Sequence, residues 1–180
     1  MKSRAVFLDR DGTLIEERNY LHRPEDVSFF PGAIEAMRRL SAAGYRLLMV
    51  TNQSGVGRGY FTMDDVTRVH AHMAAVLAPH GIVFDEFYVA PEAPDQPSRG
   101  RKPAPAFLWD ARAAFNLDLA ESYMVGDKLI DLECGWNAGV KASILVRTGY
   151  GEQVSRSAGE RLKGAIIAEG LVQAADYILR

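Results

Sequence analysis

Two carboxylates one residue apart, Asp9 and Asp11, close the apolar run Val6-Phe7-Leu8 and are followed by Gly12 and Thr13. Acids this close repel unless a positive charge lies between them, so a divalent cation is their natural partner. Alone, an Asp-x-Asp pair is commonly a solvated turn. Three further groups stand in comparable places: Thr51-Asn52-Gln53-Ser54 after a second apolar run, Arg101-Lys102 in a Pro-rich stretch, and Gly126-Asp127-Lys128 followed by Asp131. Together they can transfer a phosphoryl group. Mg2+ takes carboxylate and carbonyl oxygens, here from Asp9, Asp127 and the main chain of Asp11. Lys102 supplies charge and Thr51 a hydroxyl donor to a group whose negative charge spreads in the transition state. Asp9 can attack phosphorus. Asp11 can protonate the leaving oxygen and then take a proton from the attacking water. Ser54 has no histidine partner among these groups, so a serine–histidine–acid site has no candidate.

The elements around these residues predict how they meet. Short apolar runs predict strands over 5–8, 45–50, 84–89, 123–125 and 142–146. Helical spacing predicts helices opened by Pro31-Gly32 and stopped at Gly44, over 63–78 with Thr62 as N-cap, over 105–115, ending at Ala138, and over 161–169. Residues 148–158 read as polar turns, and 175–179 as a short apolar piece. Gly55-Val56-Gly57-Arg58-Gly59-Tyr60 is neither G-x-G-x-x-G nor a P-loop and reads as a flexible loop at the site. His70 and His72 lie two apart on a helix, face different ways and are taken as surface or packing residues. Strand–helix alternation predicts an α/β fold with a doubly wound parallel sheet, in one domain spanning residues 1–180. The four polar groups then share the carboxyl rim of that sheet, where such sheets bind ligands.

Composition narrows the class. The chain has 180 residues, 48% hydrophobic and 24% charged, with net charge -2. No basic field invites nucleic acid or anionic lipid. No apolar run approaches the ~20 residues of a membrane span. Met1-Lys2-Ser3-Arg4 runs straight into the first strand, which predicts a chain without a signal peptide. The single cysteine, Cys134, excludes an internal disulfide and a Cys-rich zinc site, in keeping with a reducing cytoplasm.

Asp9-Arg10-Asp11-Gly12-Thr13, Thr51, Lys102 and Gly126-Asp127 with Asp131 resemble, in order, the four motifs of the haloacid dehalogenase superfamily of phosphatases. The resemblance spans residues 5 to about 147 and implies a Rossmann-like core. By it, Asp9 is nucleophile and Asp11 acid/base. Thr51 and Lys102 hold the phosphoryl group, while Asp9, the Asp11 carbonyl and Asp127 hold Mg2+. Spacing between the motifs leaves no room for a large cap domain, so the chain reads as capless.

Within the superfamily, Thr51-Asn52-Gln53-Ser54-Gly55, Arg58-Gly59, Arg101-Lys102-Pro103 and Met124-Val125-Gly126-Asp127-Lys128 resemble the bacterial heptose bisphosphate phosphatases of lipopolysaccharide core synthesis. Histidinol-phosphate phosphatases are near relatives. The heptose resemblance implies a sugar phosphate substrate contacted by Arg101 and by a flap at Glu17, Arg18, Asn19 and Tyr20. Asn52, Gln53, Ser54 and Lys128 stand on the same rim as further contacts. A cytoplasmic monomer with no nucleic acid or membrane partner is expected.

Those relatives usually carry a Cys/His zinc loop ahead of Arg-Lys. The corresponding places here read Ala90, Glu92, Ser98 and Gly100, so no zinc is expected. Pro91, Pro94 and Pro97 would stiffen the loop, with Arg99 paired to Glu92 or Asp95. Arg101 beside Lys102 suits a substrate with a second phosphate. Histidinol phosphate, carrying an amine, would want acids such as Glu16, Glu17 and Glu92. A phospho-accepting receiver module is a third reading, but it has no need of Asp11.

Overall fold

The structure, a computed structural model, describes residues 2–180. Six strands form one parallel sheet: β1 (Arg4–Leu8), β2 (Tyr45–Asn52), β3 (Glu86–Ala90), β4 (Tyr123–Gly126), β5 (Ala142–Val146) and β6 (Ile166–Ala168). Their order is β3-β2-β1-β4-β5-β6, the doubly wound arrangement in which the chain reverses direction across the sheet between β1 and β4. The helices are α1 (Ala33–Ala42), α2 (Ser54–Gly57), α3 (Met63–Leu77), α4 (Ala106–Phe115), α5 (Leu129–Ala138), α6 (Gly151–Ser157) and α7 (Leu171–Ile178).

The central strands are apolar on both faces, and their alternation splits the core in two. Val6 and Leu8 of β1 join Leu47 and Met49 of β2 on one face, under α1, α3 and α7 through Met37, Met73 and Ala175. Ala5 and Phe7 join Leu48, Val50 and Met124 on the other, under α4 and α5 through Leu108 and Cys134. The Cys134 thiol donates to the Ala104 carbonyl at 3.3 Å, tying α5 to the segment after Lys102. Thr62 caps α3 as expected. Its hydroxyl accepts from the Asp65 N–H at 3.2 Å, and the Asp65 carboxylate accepts from the Thr62 N–H at 2.7 Å. Among the described residues no helix is long and apolar enough to cross a membrane.

Three expectations are corrected. Residues 161–169 do not form a helix: a short 3-10 turn over Gly159–Leu162 precedes β6, a three-residue edge strand. Residues 148–158 contain α6 rather than turns alone. The glycine loop opens with one helical turn, α2. There a side chain at Gly57 would meet the backbone of Ala93 at 2.5 Å, so the segment is seated against the next loop.

Candidate active site

Asp9 follows β1 directly, and its neighbours across the sheet are β2 and β4. The four polar groups therefore converge where the strand order reverses. One cleft is lined by Asp9, Asp11, Thr51, Asn52, Ser54, Arg101, Lys102, Lys128 and Asp131. It adjoins a second hollow lined by Asp11, Glu17, Tyr20, Gln53 and Ser54.

Lys102 sits at the bottom, only 3% exposed. Its Nζ donates to Asp9 Oδ1 and the Val50 carbonyl, and it lies against Asp131 Oδ1, all at 2.7 Å. The ammonium is thus set between two buried carboxylates at the floor of the cleft. Burial pushes this ammonium down, but the charges of Asp131 and Asp9 outweigh it and hold Lys102 above its ordinary value. The preceding loop is fixed by a two-way bond. The Lys102 N–H donates to Asn52 Oδ1 at 3.0 Å, and Asn52 Nδ2 donates to the Lys102 carbonyl at 3.2 Å.

Asp9, Asp127 and Asp131 each offer an oxygen within 4.8 Å of the others, all three residues buried. Asp131 was singled out with the fourth motif but not as a ligand, and here it completes this cluster. One Asp127 oxygen accepts from the Tyr150 N–H at 2.8 Å. The other, Oδ1, is buried with no hydrogen-bond partner. Burial first, then the Asp9 charge, pushes the Asp127 carboxyl up to about 8. A buried, orphaned carboxylate oxygen inside an acidic cluster is what a divalent cation would satisfy, so these residues fit Mg2+.

The backbone closes over this point. Gly12 has φ +79, and a Cβ there would lie 2.1 Å from Asp127 Oδ2. A Cβ on Gly149, where φ is +57, would lie 2.3 Å from the same oxygen. Thr148 donates its hydroxyl to the Gly12 carbonyl at 2.7 Å. Residues 148–150 had no functional reading in the sequence, because they act through the Tyr150 N–H, the bare Gly149 and a Thr148 hydroxyl that bonds only to main chain.

The Asp127 charge can be tested directly. At pH 7.5 the metal-free Asp127→Asn variant should melt no lower than the wild type, since a neutral amide removes a buried carboxyl that resists ionisation. Mg2+ at ~100 times its dissociation constant stabilises a folded chain by ~2.7 kcal/mol. At ~2–4 °C per kcal/mol that is a rise of ~5–10 °C for the wild type and none for the variant. Equal Mg2+ increments in both melts would show that Asp127 is not a ligand.

The remaining residues divide. Arg101 is half-buried on the cleft wall and donates to the Glu92 carbonyl at 3.0 Å. Burial lowers its guanidinium value; Glu92 opposes this and the neighbouring Arg58 adds to it. Lys128 reaches Glu17 of the flap at 3.2 Å and lies over the Tyr150 ring at 4.8 Å. Burial pushes Lys128 down, and the surrounding Asp9, Asp127, Glu17 and Asp131 more than reverse it. Tyr20 lines the outer hollow and packs edge-on to Tyr60 at 4.9 Å. Arg18 pairs with Glu16 at 2.9 Å, Asn19 is exposed, and neither lines the two hollows. Gln53 is only 4% exposed and bonds to Asp11 and Thr51 at 3.0 and 2.8 Å. His70 is a packing residue, one of the two readings expected for it, whereas Arg10, part of the first motif, was given no role in the sequence reading. Arg10 is wholly buried and chelates Asp11, and His70 lies behind Arg10. Arg10 lies in the bend just after β1, and His70 on the buried face of α3.

Fold and site together define a phosphoric monoester hydrolase of the haloacid dehalogenase type. A family model described as HAD-hydrolase-like matches residues 100–174, and one for polynucleotide kinase 3 phosphatase matches residues 4–134. A D-glycero-beta-D-manno-heptose-1,7-bisphosphate 7-phosphatase from Haemophilus ducreyi is 39% identical, covering 99% of this chain and all of that one. The enzyme of the same name from Escherichia coli K12 is 41% identical over 81% of this chain and 80% of its own. The crystal structure of D,D-heptose 1,7-bisphosphate phosphatase from B. bronchiseptica, complexed with magnesium and phosphate, superposes with a TM-score of 0.91 at 33% identity, covering 98% of each chain. The chain belongs to the D-glycero-D-manno-heptose-1,7-bisphosphate 7-phosphatase family.

Proposed function

We propose that this chain removes the 7-phosphate of D-glycero-D-manno-heptose 1,7-bisphosphate through an aspartyl-phosphate on Asp9. The observation that carries the reading is the single cleft on which Asp9, Asp11, Thr51, Arg101, Lys102 and Asp131 converge. Asp9 attacks phosphorus as the bond to the sugar oxygen breaks, and Asp11 gives that oxygen its proton. Asp11 then takes a proton from water, which attacks phosphorus, frees Asp9 and releases inorganic phosphate. Lys102 and the Thr51 hydroxyl hold the phosphoryl oxygens. Mg2+ held by Asp9, the Asp11 carbonyl and Asp127 would neutralise charge on those oxygens. Arg101 offers a second cation for the phosphate that stays on the sugar, and Glu17 and Tyr20 line the approach.

The histidinol-phosphate alternative needs free acids for an amine. Each candidate acid already has a partner: Glu16 accepts from Arg18, Glu17 from Lys128, and Glu92 from Ser98. Phosphate release from the two substrates with Mg2+ present tests the choice. A higher kcat/KM for histidinol phosphate would overturn it, and sustained turnover of either excludes a receiver module. The chain is read as a one-domain, cytoplasmic monomer.

The loop over 90–100 is proposed to stand without zinc. Ser98 donates to Glu92 at 2.7 Å, and Gln96 accepts from the Ala93 N–H at 2.7 Å. Arg99 pairs with Asp110 of α4 at 2.6 Å, not with Glu92 or Asp95 as the sequence suggested. Glu92 and Ser98, two of the places that the resemblance sets against a zinc loop, thus bond to each other. Elemental analysis of the purified protein should find zinc well below one per chain, and a chelator that spares Mg2+ should leave turnover intact. Stoichiometric zinc would refute this.

A further inference from the structure

Asp11 is held from behind. Arg10 Nε donates to Asp11 Oδ2 at 2.9 Å, and Arg10 Nη2 donates to Oδ1 at 3.0 Å. Gln53 Nε2 adds a third bond, to Oδ2 at 3.0 Å. A carboxylate has about four lone-pair sites, so three donors leave about one for a reacting oxygen. Arg10 itself has no solvent exposure. Its other contacts run to the Leu21 carbonyl and Gln53 Oε1, each at 3.2 Å, and to His70 Nε2 at 3.4 Å. His70 is stacked on Phe87, ring centroids 4.8 Å apart. Burial, reinforced by the Arg10 charge, holds the imidazole down to about 3, so it meets the guanidinium as a neutral ring.

A guanidinium sealed from water is costly unless each of its donors is used. Here they are spent on one side chain of the cleft and on the frame behind it: the flap at Leu21, the second motif at Gln53 and α3 at His70. A salt bridge serving stability alone has no need of a partner at the reacting centre. The bidentate fork fixes both the position and the plane of the carboxylate, which a single bond cannot.

We propose that Arg10 and Gln53 are positioning residues for proton transfer: they lock the Asp11 carboxylate in the one orientation from which it reaches the leaving-group oxygen. The inference rests on the phosphatase reading above. Its readout is the dependence on leaving group. A sugar alkoxide cannot depart unprotonated, whereas p-nitrophenolate can, and kcat/KM reports the steps through departure.

The test compares kcat/KM for heptose bisphosphate and for p-nitrophenyl phosphate, with Mg2+, in wild type, Arg10→Lys and Gln53→Met. Lysine keeps the charge but cannot chelate. Methionine keeps the approximate volume of Gln53 without its amide. General acid–base catalysis is worth ~10²–10⁴-fold. Arg10→Lys should therefore lose ~10²-fold or more on the sugar substrate and at least ~10-fold less than that on the aryl one. Gln53→Met should shift the ratio in the same sense by less. Equal losses on both substrates, or no loss on either, overturn the proposal, since a merely structural residue cannot sense the leaving group. If Arg10→Lys does not fold, Gln53→Met decides by the same ratio. A wild type that hydrolyses only the aryl ester refutes the heptose reading instead, and glycerol 1-phosphate then replaces the sugar in the comparison. A wild type that hydrolyses neither ends both readings.

Discussion

Asp9→Asn is expected to lower kcat by at least ~10⁴-fold and to leave no acid-stable phosphoprotein after a quench. The amide keeps the shape of the side chain and can still accept a bond from Lys102, but it cannot attack phosphorus. The fold should survive, because Lys102 retains Asp131 and the Val50 carbonyl as partners at 2.7 Å. Loss of turnover with an unchanged melting curve therefore locates the defect in the chemistry. Deamidation of the new asparagine would restore activity slowly, so mass spectrometry must accompany the assay. Turnover within tenfold of wild type, with deamidation and carry-over excluded, would sink the covalent mechanism.

Lys102→Met is expected to damage both stability and turnover. The substitution removes the cation between Asp9 and Asp131, side chains 7% and 1% exposed, and supplies no other partner. Breaking a buried ion pair by deleting one member costs ~3–5 kcal/mol, because the surviving charge stays out of water. For a chain of this size that is a fall of ~6–20 °C in melting temperature. Mg2+ should recover part of the loss by restoring positive charge among the carboxylates, yet activity should stay low, since the phosphoryl group has lost its ammonium. Thermal melts with and without Mg2+ measure both effects. A metal-free variant as stable as wild type would mean that Lys102 is not what balances the cluster.

Strands β1, β2, β4 and β5 were legible because they are buried on both faces and read as unbroken apolar runs. Helices α1, α3 and α4 carry a stripe and end signals. What was not legible depended on tertiary contact. Strand β6 has three residues, too few for any period, and gains its place only by pairing with β5 through Ile144, Leu145 and Val146. Helix α6 has no apolar stripe. It begins at Gly151, where a Cβ would lie 1.7 Å from the Val146 carbonyl, so β5 sets its position. At the site, residue types at strand ends and in the connections after them pointed to Asp9, Thr51, Lys102 and Asp127, because a parallel sheet gathers these on one rim. Arg10 is a different case. Adjacent residues on an extended chain face apart, so nothing in the order Asp9-Arg10-Asp11 suggests that the arginine turns to grip its own neighbour. Arg99 likewise skips the nearby acids for Asp110, because α4 returns close to the loop.

The bond from Cys134 to the Ala104 carbonyl has a consequence for oxidants. A thiol reacts with peroxide, disulfides and alkylating agents as its thiolate. Burial pushes this thiol up to about 12; the Lys102 charge works against that, and Asp131 adds to it. At neutral pH the folded chain therefore presents almost no thiolate, and its single cysteine lies beneath the surface. Oxidation of Cys134 and disulfide-linked dimers are therefore disfavoured while the fold holds. Only an opening of α5 from the segment after Lys102 would uncover the thiol and restore its ordinary reactivity. The labelling rate of the folded chain would therefore measure local opening at the floor of the cleft, which steady turnover does not report.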